Sequence, residues 1–192
     1  MAKTNITLRL DGQEIAYEVK NKTWLAARSA EAAGAKPEAV SQLQVTDDEE
    51  CDNMLRRLIN NAVARLRHIA NEWVPGGVTT DSNVLPGGTG TIIVTLAMPT
   101  NHALGAVEDT CQTMHRYIVD YACGAWYEVV DAERCKLYLA EAEADARVLR
   151  LALLRRRRPP RRQSDSGGDP AGRHVLWLRS EKWRRAEKWL RR

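Results

Sequence analysis

From Leu104 to Ala125 the apolar residues fall at alternating steps of three and four: Leu104, Val107, Cys111, Met114, Ile118, Tyr121 and Ala125. That spacing draws one stripe down a helix and requires a packed neighbour along its whole length. The helix opens at Pro99-Thr100-Asn101, with Thr100 or Asn101 as its cap. Asp131 then caps a further helix from Ala132 to about Leu154, with Cys135, Tyr138, Ala142, Leu149 and Leu153 facing inward. The corner between the two has almost no length, which predicts antiparallel neighbours. An earlier stripe, Cys51, Leu55, Leu58, Ala62, Leu66, Ile69 and Trp73, marks another long helix. Its predicted start is a capping box, Thr46-Asp47-Asp48-Glu49, in which Thr46 and Glu49 satisfy each other's backbone.

Outside these stripes the period changes. Ile6–Leu10 alternates apolar with polar, Asp11-Gly12 reads as a two-residue turn, and Gln13–Val19 alternates again, so residues 6–19 are expected to form a β-hairpin. A short helix from Thr23 to Ala33 follows, closed by Gly34, and Pro37 starts one more turn through about Leu43. Residues 75–90 form a Gly- and Pro-rich loop. Its Gly87-Gly88-Thr89-Gly90 has no following Lys-Ser/Thr and precedes a strand, so it is not a phosphate cradle. The strand covers Thr91–Met98, with Ile92, Val94, Leu96 and Met98 on one face. The expected fold is mainly α: a bundle of three long helices with a small antiparallel sheet from the hairpin and the strand at 91–98, and a C-terminal arm. The expected divisions are residues 1–45 (hairpin and short helices), 46–162 (helical core) and 163–192 (arm).

Charge separates the arm from the body. Residues 1–150 hold 15 Lys and Arg against 21 Asp and Glu, whereas residues 151–192 hold 14 against 4. Such a balance directs the arm toward an acidic protein surface or nucleic acid. The basic run is Arg155, Arg156, Arg157 and Arg158, then Pro159-Pro160, then Arg161 and Arg162. Trp177, Trp183 and Trp189 recur every six residues, a spacing that cannot put all three on one side of a helix. Large aromatics on a segment without a core of its own suit a partner surface, so these six arginines and three tryptophans are the candidate partner-binding residues.

Reactive chemistry is not expected. His68, His102, His115 and His174 are scattered, no Gly-x-Ser-x-Gly occurs, and the adjacent acids Glu49-Glu50 and Glu108-Asp109 suit helix starts. Cys51, Cys111, Cys123 and Cys135 form no C-x-x-C pair and read as small, reduced core residues. Cys111 and His115 stand four apart but lack two further ligands at metal spacing. No catalytic, metal or cofactor residue is assigned, and the chain is not expected to be an enzyme. There is no run of 18 apolar residues to span a membrane, and Met1–Asn5 lacks the apolar stretch of a secretory signal.

Residues 43–62, from Leu43-Gln44-Val45 through the acidic cap to Asn61-Ala62, resemble the opening helix of the head–tail connector (adaptor) proteins of tailed bacteriophages and prophages. Tyr117–Ala122, Ala125-Trp126-Tyr127, the Asp131 corner and the ending Arg155–Pro159 are similar to the later parts of the same pattern, which spans about residues 43–162. The resemblance implies a structural virion protein without cofactor or turnover. Such proteins assemble in the bacterial host and form a ring, commonly of twelve copies, beneath the portal. They extend the DNA channel, with non-specific contact to the DNA, and carry the tail proteins. The alternative is a small nucleic-acid-binding module that uses the basic arm.

Overall fold

The N-terminal strand finds its partner some eighty residues along the chain. In a computed structural model, which describes residues 3–75, 90–103 and 105–157, strand β1 (Lys3–Asp11) pairs antiparallel with strand β2 (Thr91–Pro99), from Lys3 opposite Pro99 to Asp11 opposite Thr91. Between them lie helices α1 (Gly12–Ala32), α2 (Pro37–Leu43) and α3 (Glu49–Ile69) and a 3-10 turn (Asn71–Trp73). Helices α4 (Ala106–Tyr127) and α5 (Ala132–Leu154) follow β2. The result is a mainly helical bundle with a small two-stranded antiparallel sheet.

The expected hairpin is corrected: Gln13–Val19 is helix, not strand. Asp11 is a cap rather than a turn residue, its side chain accepting the Gln13 N–H at 2.8 Å. Ile15 and Val19 are completely buried and Tyr17 is 65% exposed, so the period-two reading fails at its middle residue. Thr23, Ala26 and Ala27 continue the buried face, giving the helix a long apolar side that a two-stranded hairpin, marginal in water, does not offer. Gly12 has a specific role at this junction. A Cβ there would lie 2.5 Å from the Gly90 carbonyl oxygen, so only glycine lets the start of α1 pass the start of β2. Gly34, at φ +84°, closes α1 in the left-handed conformation that favours glycine.

The start of α3 also differs from expectation. Asp48, not Thr46, is the cap: its Oδ1 accepts the Cys51 N–H at 2.8 Å, while the Thr46 hydroxyl donates to the other carboxylate oxygen. The Thr46 and Cys51 bonds hold the Asp48 carboxyl below its ordinary pKa. The buried stripe of α3 runs through Leu55, Ile59, Ala62, Val63 and Leu66, with Cys51, Leu58, Ile69 and Trp73 partly buried beside it.

Helix α4 begins at Ala106 after Gly105, without a side-chain cap, rather than at Thr100 or Asn101. It packs against α1, α3, α5 and β1. Nine of the eleven residues from Tyr117 to Tyr127 are buried, so this half of the helix is core on almost every side. Helix α5 is capped as expected, with the Asp131 carboxylate accepting the Glu133 and Arg134 N–H groups at 3.1 Å. Contacts of Gly124 with Leu139, Arg116 with Asp145 and Asp109 with Arg155 show α4 and α5 running antiparallel. The inner face of the sheet, with Leu8, Leu96 and Met98, meets Val107 of α4 and Leu153 of α5. The described residues of the first 45 share this one core: Ile15, Val19, Leu43 and Val45 cluster with Leu66, Ile118 and Leu149.

Gly12→Ala is expected to lower stability by about 1–3 kcal/mol, the range for inserting an atom into filled space; an unchanged denaturation midpoint would show that β2 withdraws freely. Asp48→Ala should lower the thermal midpoint more than Thr46→Ala does, and the reverse order would restore Thr46 as the cap.

Candidate partner-binding surfaces

The basic run begins on a fixed root. Helix α5 ends at Leu154, five residues before Pro159, and the chain turns to extended backbone at Arg155. It then pairs with the loop between β2 and α4. Arg156 forms an antiparallel bridge with His102, Ala103 N–H donates to the Arg155 carbonyl at 3.4 Å, and Arg157 N–H donates to the Asn101 carbonyl at 2.8 Å. This pairing explains the late start of α4, because residues 101–103 are held by the end of α5 instead of entering a helix. The side chains behave differently. Arg156 turns back to the carbonyls of Leu153 and Arg155, at 3.0 and 3.3 Å. Arg155 reaches Asp109 at 3.5 Å with both groups well exposed, and Arg157 is exposed.

Beneath the root lies His102, only 4% exposed, with its Nδ1 lacking a hydrogen-bond partner among the described residues. It lines a cavity with room for about one water, together with Ile6, Met98, Thr110 and Leu153. Burial is the main cause that pushes the imidazole below its ordinary 6.5, with the Arg156 charge acting the same way against the Arg155 carbonyl.

A second group of polar side chains joins α1 to α4 and α5. The Asp120 carboxylate, with a side chain 8% exposed, holds the Lys22 ammonium at 2.5 Å. Burial pushes Lys22 down, but the hydrogen bond and charge of Asp120 more than offset it and its pKa stands above the ordinary 10.5. Lys22 also lies 5.8 Å from the centre of the Tyr138 ring. Burial raises the neighbouring Cys123 thiol to about 12, so it stays protonated and unreactive near neutral pH. Cys111 and His115 turn to different neighbours: Cys111 Sγ donates to the Arg9 carbonyl at 3.8 Å, and His115 Nε2 stands 3.3 Å from Glu18. Among the described residues, no three His, Cys, Asp or Glu converge on a metal position.

Two exposed apolar faces complete the surface. On α1, Tyr17, Trp24 and Leu25 point away from the buried side at 65%, 48% and 53% exposure, and Arg28 stacks on Trp24 with 5.7 Å to the ring centre. The other face is on α5, where Leu137, Val148 and Leu151 are exposed.

Of the predicted partner-binding residues, Arg155, Arg156 and Arg157 lie together at the root. Arg158, Arg161, Arg162, Trp177, Trp183 and Trp189 lie outside the described residues. The sequence reading missed the Lys22–Asp120 pair, whose signal was a single carboxylate inside the apolar run Ile118-Val119-Asp120-Tyr121. It also misses the α1 face, because the alternation of residues 13–19 places Tyr17 in a strand. No family model, curated protein or solved structure matches the chain.

Since the folded pKa of His102 lies below 6.5, the unfolded chain takes up this proton first. The stability due to the neutral imidazole is therefore complete above about pH 6.5 and is lost as the pH falls below it. His102→Gln should flatten the fall in thermal midpoint between pH 7 and pH 5. Identical slopes for the two proteins would remove His102 from that acid response.

Proposed function

We propose that the protein is a structural virion subunit: one copy in a head–tail connector ring that joins the portal to the tail of a tailed phage or prophage. It acts by assembly, without turnover. The observation that carries this reading is the exposed face of α1. Tyr17, Trp24 and Leu25 form an apolar patch on a helix whose opposite side is fully committed to the core. A ring needs a head-to-tail contact, in which one patch of a subunit meets a different patch of the next. The α1 face suits one half of such a contact. The basic, Trp-containing sequence beyond Arg157 suits the other, or the portal itself, by its charge and its three large aromatics. The resemblance over residues 43–162 and the acidic balance of residues 1–150 support the same reading: an acidic wall can enclose DNA without gripping it.

Mass photometry and negative-stain microscopy of the purified protein, alone and with portal, test the assignment. Rings, or ring assembly on the portal, support it. A monomer whose DNA affinity falls steeply with salt would instead fit a nucleic-acid-binding module using the basic arm. A chain ending at Arg162 should keep the thermal midpoint of the full protein and lose attachment to portal or neighbour. Trp183→Ala or Trp189→Ala should weaken attachment more than any single Arg→Ala in the arm, since buried aromatics are more often hot spots than rim charges. If the shortened chain assembles and attaches as well as the full one, the arm is not the docking element.

A further inference from the structure

Helix α5 is apolar on two opposite sides. Its inner side, with Ala142, Ala146, Leu149 and Leu153, is buried against the body. At helical spacing, Leu137, Ala140, Ala144, Val148 and Leu151 form a second stripe about half a turn away from the first. All five are exposed, Leu137 at 57% and Leu151 at 70%. The helix is about 34 Å long, so the stripe is a continuous seam rather than scattered surface leucines.

We propose that this seam binds the same seam of a second copy, with the two α5 helices antiparallel about a two-fold axis at Ala144. Charge and shape both select this occupant and orientation. Along the seam, Glu133 stands at the N-terminal end and Arg155 at the C-terminal end. An antiparallel pair sets Glu133 of each copy opposite Arg155 of the other, whereas a parallel pair sets like charges together. Leu137 then meets Leu151, Ala140 meets Val148, and Ala144 meets its own copy. Small alanines at the crossing let the helices approach closely while the leucines seal both ends. On the flank, Glu143 comes beside Arg147 of the other copy; within one copy these two are a loose, exposed pair at 3.8 Å. The competing partners are weak as well: Glu133 holds Lys136 at 3.2 Å and Arg155 holds Asp109 at 3.5 Å, both among exposed groups. Exchange of these partners therefore costs little. A two-fold contact closes on itself, so it is distinct from the head-to-tail contact of a ring and does not depend on that reading.

The test uses the full chain without portal. Sedimentation over a concentration series should show a monomer–dimer equilibrium, and Leu151→Glu should raise the dimer dissociation constant at least tenfold. Ala144→Cys should give a disulfide-linked dimer under mild oxidation well above the wild-type level. Charge reversal by Glu133→Arg should weaken the dimer, and adding Arg155→Glu should restore it. A wild-type monomer at all concentrations, or an Ala144→Cys chain that does not cross-link, would overturn the proposal. Either result would mean that the seam is bare or covered by the chain's own residues 158–192. Rings that form normally while α5 variants change nothing would overturn it too, leaving the ring reading standing.

Discussion

Between Tyr117 and Tyr127, α4 leaves almost no side free for water, and the other elements are arranged around that demand. A helix that is apolar nearly all round can only lie inside, so each face must have its own cover. Helices α1, α3 and α5 and strand β1 supply it. The α5 contact is the closest: a Cβ on Gly124 would stand 2.8–2.9 Å from the Leu139 side chain and 3.3 Å from its backbone nitrogen. The α3 contact includes Arg65 lying over the Tyr121 ring, 5.1 Å from its centre. The one carboxylate in this half, Asp120, cannot be buried alone. It draws Lys22 across from α1, which fixes how α1 is turned about its axis. That turn in turn commits Ile15 and Val19 to the core and Tyr17 and Trp24 to the outside.

Local sequence made the elements legible wherever one short stretch decided the outcome. Asp131 caps α5, Pro37 starts α2, Gly34 closes α1, and the alternation of residues 91–98 gives β2 with its inner face on Val94, Leu96 and Met98. Other outcomes were decided elsewhere in the chain. Ile15, Tyr17 and Val19 satisfy a strand and, without Tyr17, a helix; the residues that settle it, Ala26 and Ala27, lie outside the seven-residue window. Asp11-Gly12 suits a turn and equally a capped helix start; here Asp11 is the cap, and the need for glycine at position 12 comes from the distant Gly90 carbonyl. Thr100 and Asn101 are good caps, yet pairing of residues 101–103 with Arg155–Arg157 keeps this stretch out of the helix. At α3 two competent caps stand two residues apart, and the carboxylate has the Cys51 N–H.

The candidate surfaces were legible in reverse, as apolar residues left over once the inward stripes had been assigned. Reading α5 by its inner stripe alone accounts for Ala142, Leu149 and Leu153 but gives no role to Leu137, Val148 and Leu151. Reading Tyr17 as a strand residue hid the helix spacing that joins it to Trp24. Buried polar atoms are still harder to see in advance. Among the described residues the Trp126 Nε1 has no hydrogen-bond partner and the Tyr127 hydroxyl has no acceptor, although the Tyr127 ring is stacked on Tyr138 with 5.7 Å between centres. Burial raises the pKa of that hydroxyl, keeping it protonated as a donor without an acceptor. Their apolar bodies pay for the burial that their polar tips oppose.

The root of the arm separates two jobs that a basic run could otherwise confuse. The direction of the chain after α5 is set by backbone groups: the bridge between Arg156 and His102 and the bonds to Asn101 and Ala103. Hydrogen bonds of this kind each contribute about 1 kcal/mol. The side chains carry little of that load. The exposed Arg155–Asp109 pair contributes less than about 1 kcal/mol and is screened further by salt. Arg155 can therefore change partner, and Arg157 can engage one, while the backbone beneath them stays in place. At residues 155–157 the Arg155 and Arg157 side chains are thus exposed on a backbone that is already ordered, so a contact made there would carry a low ordering cost.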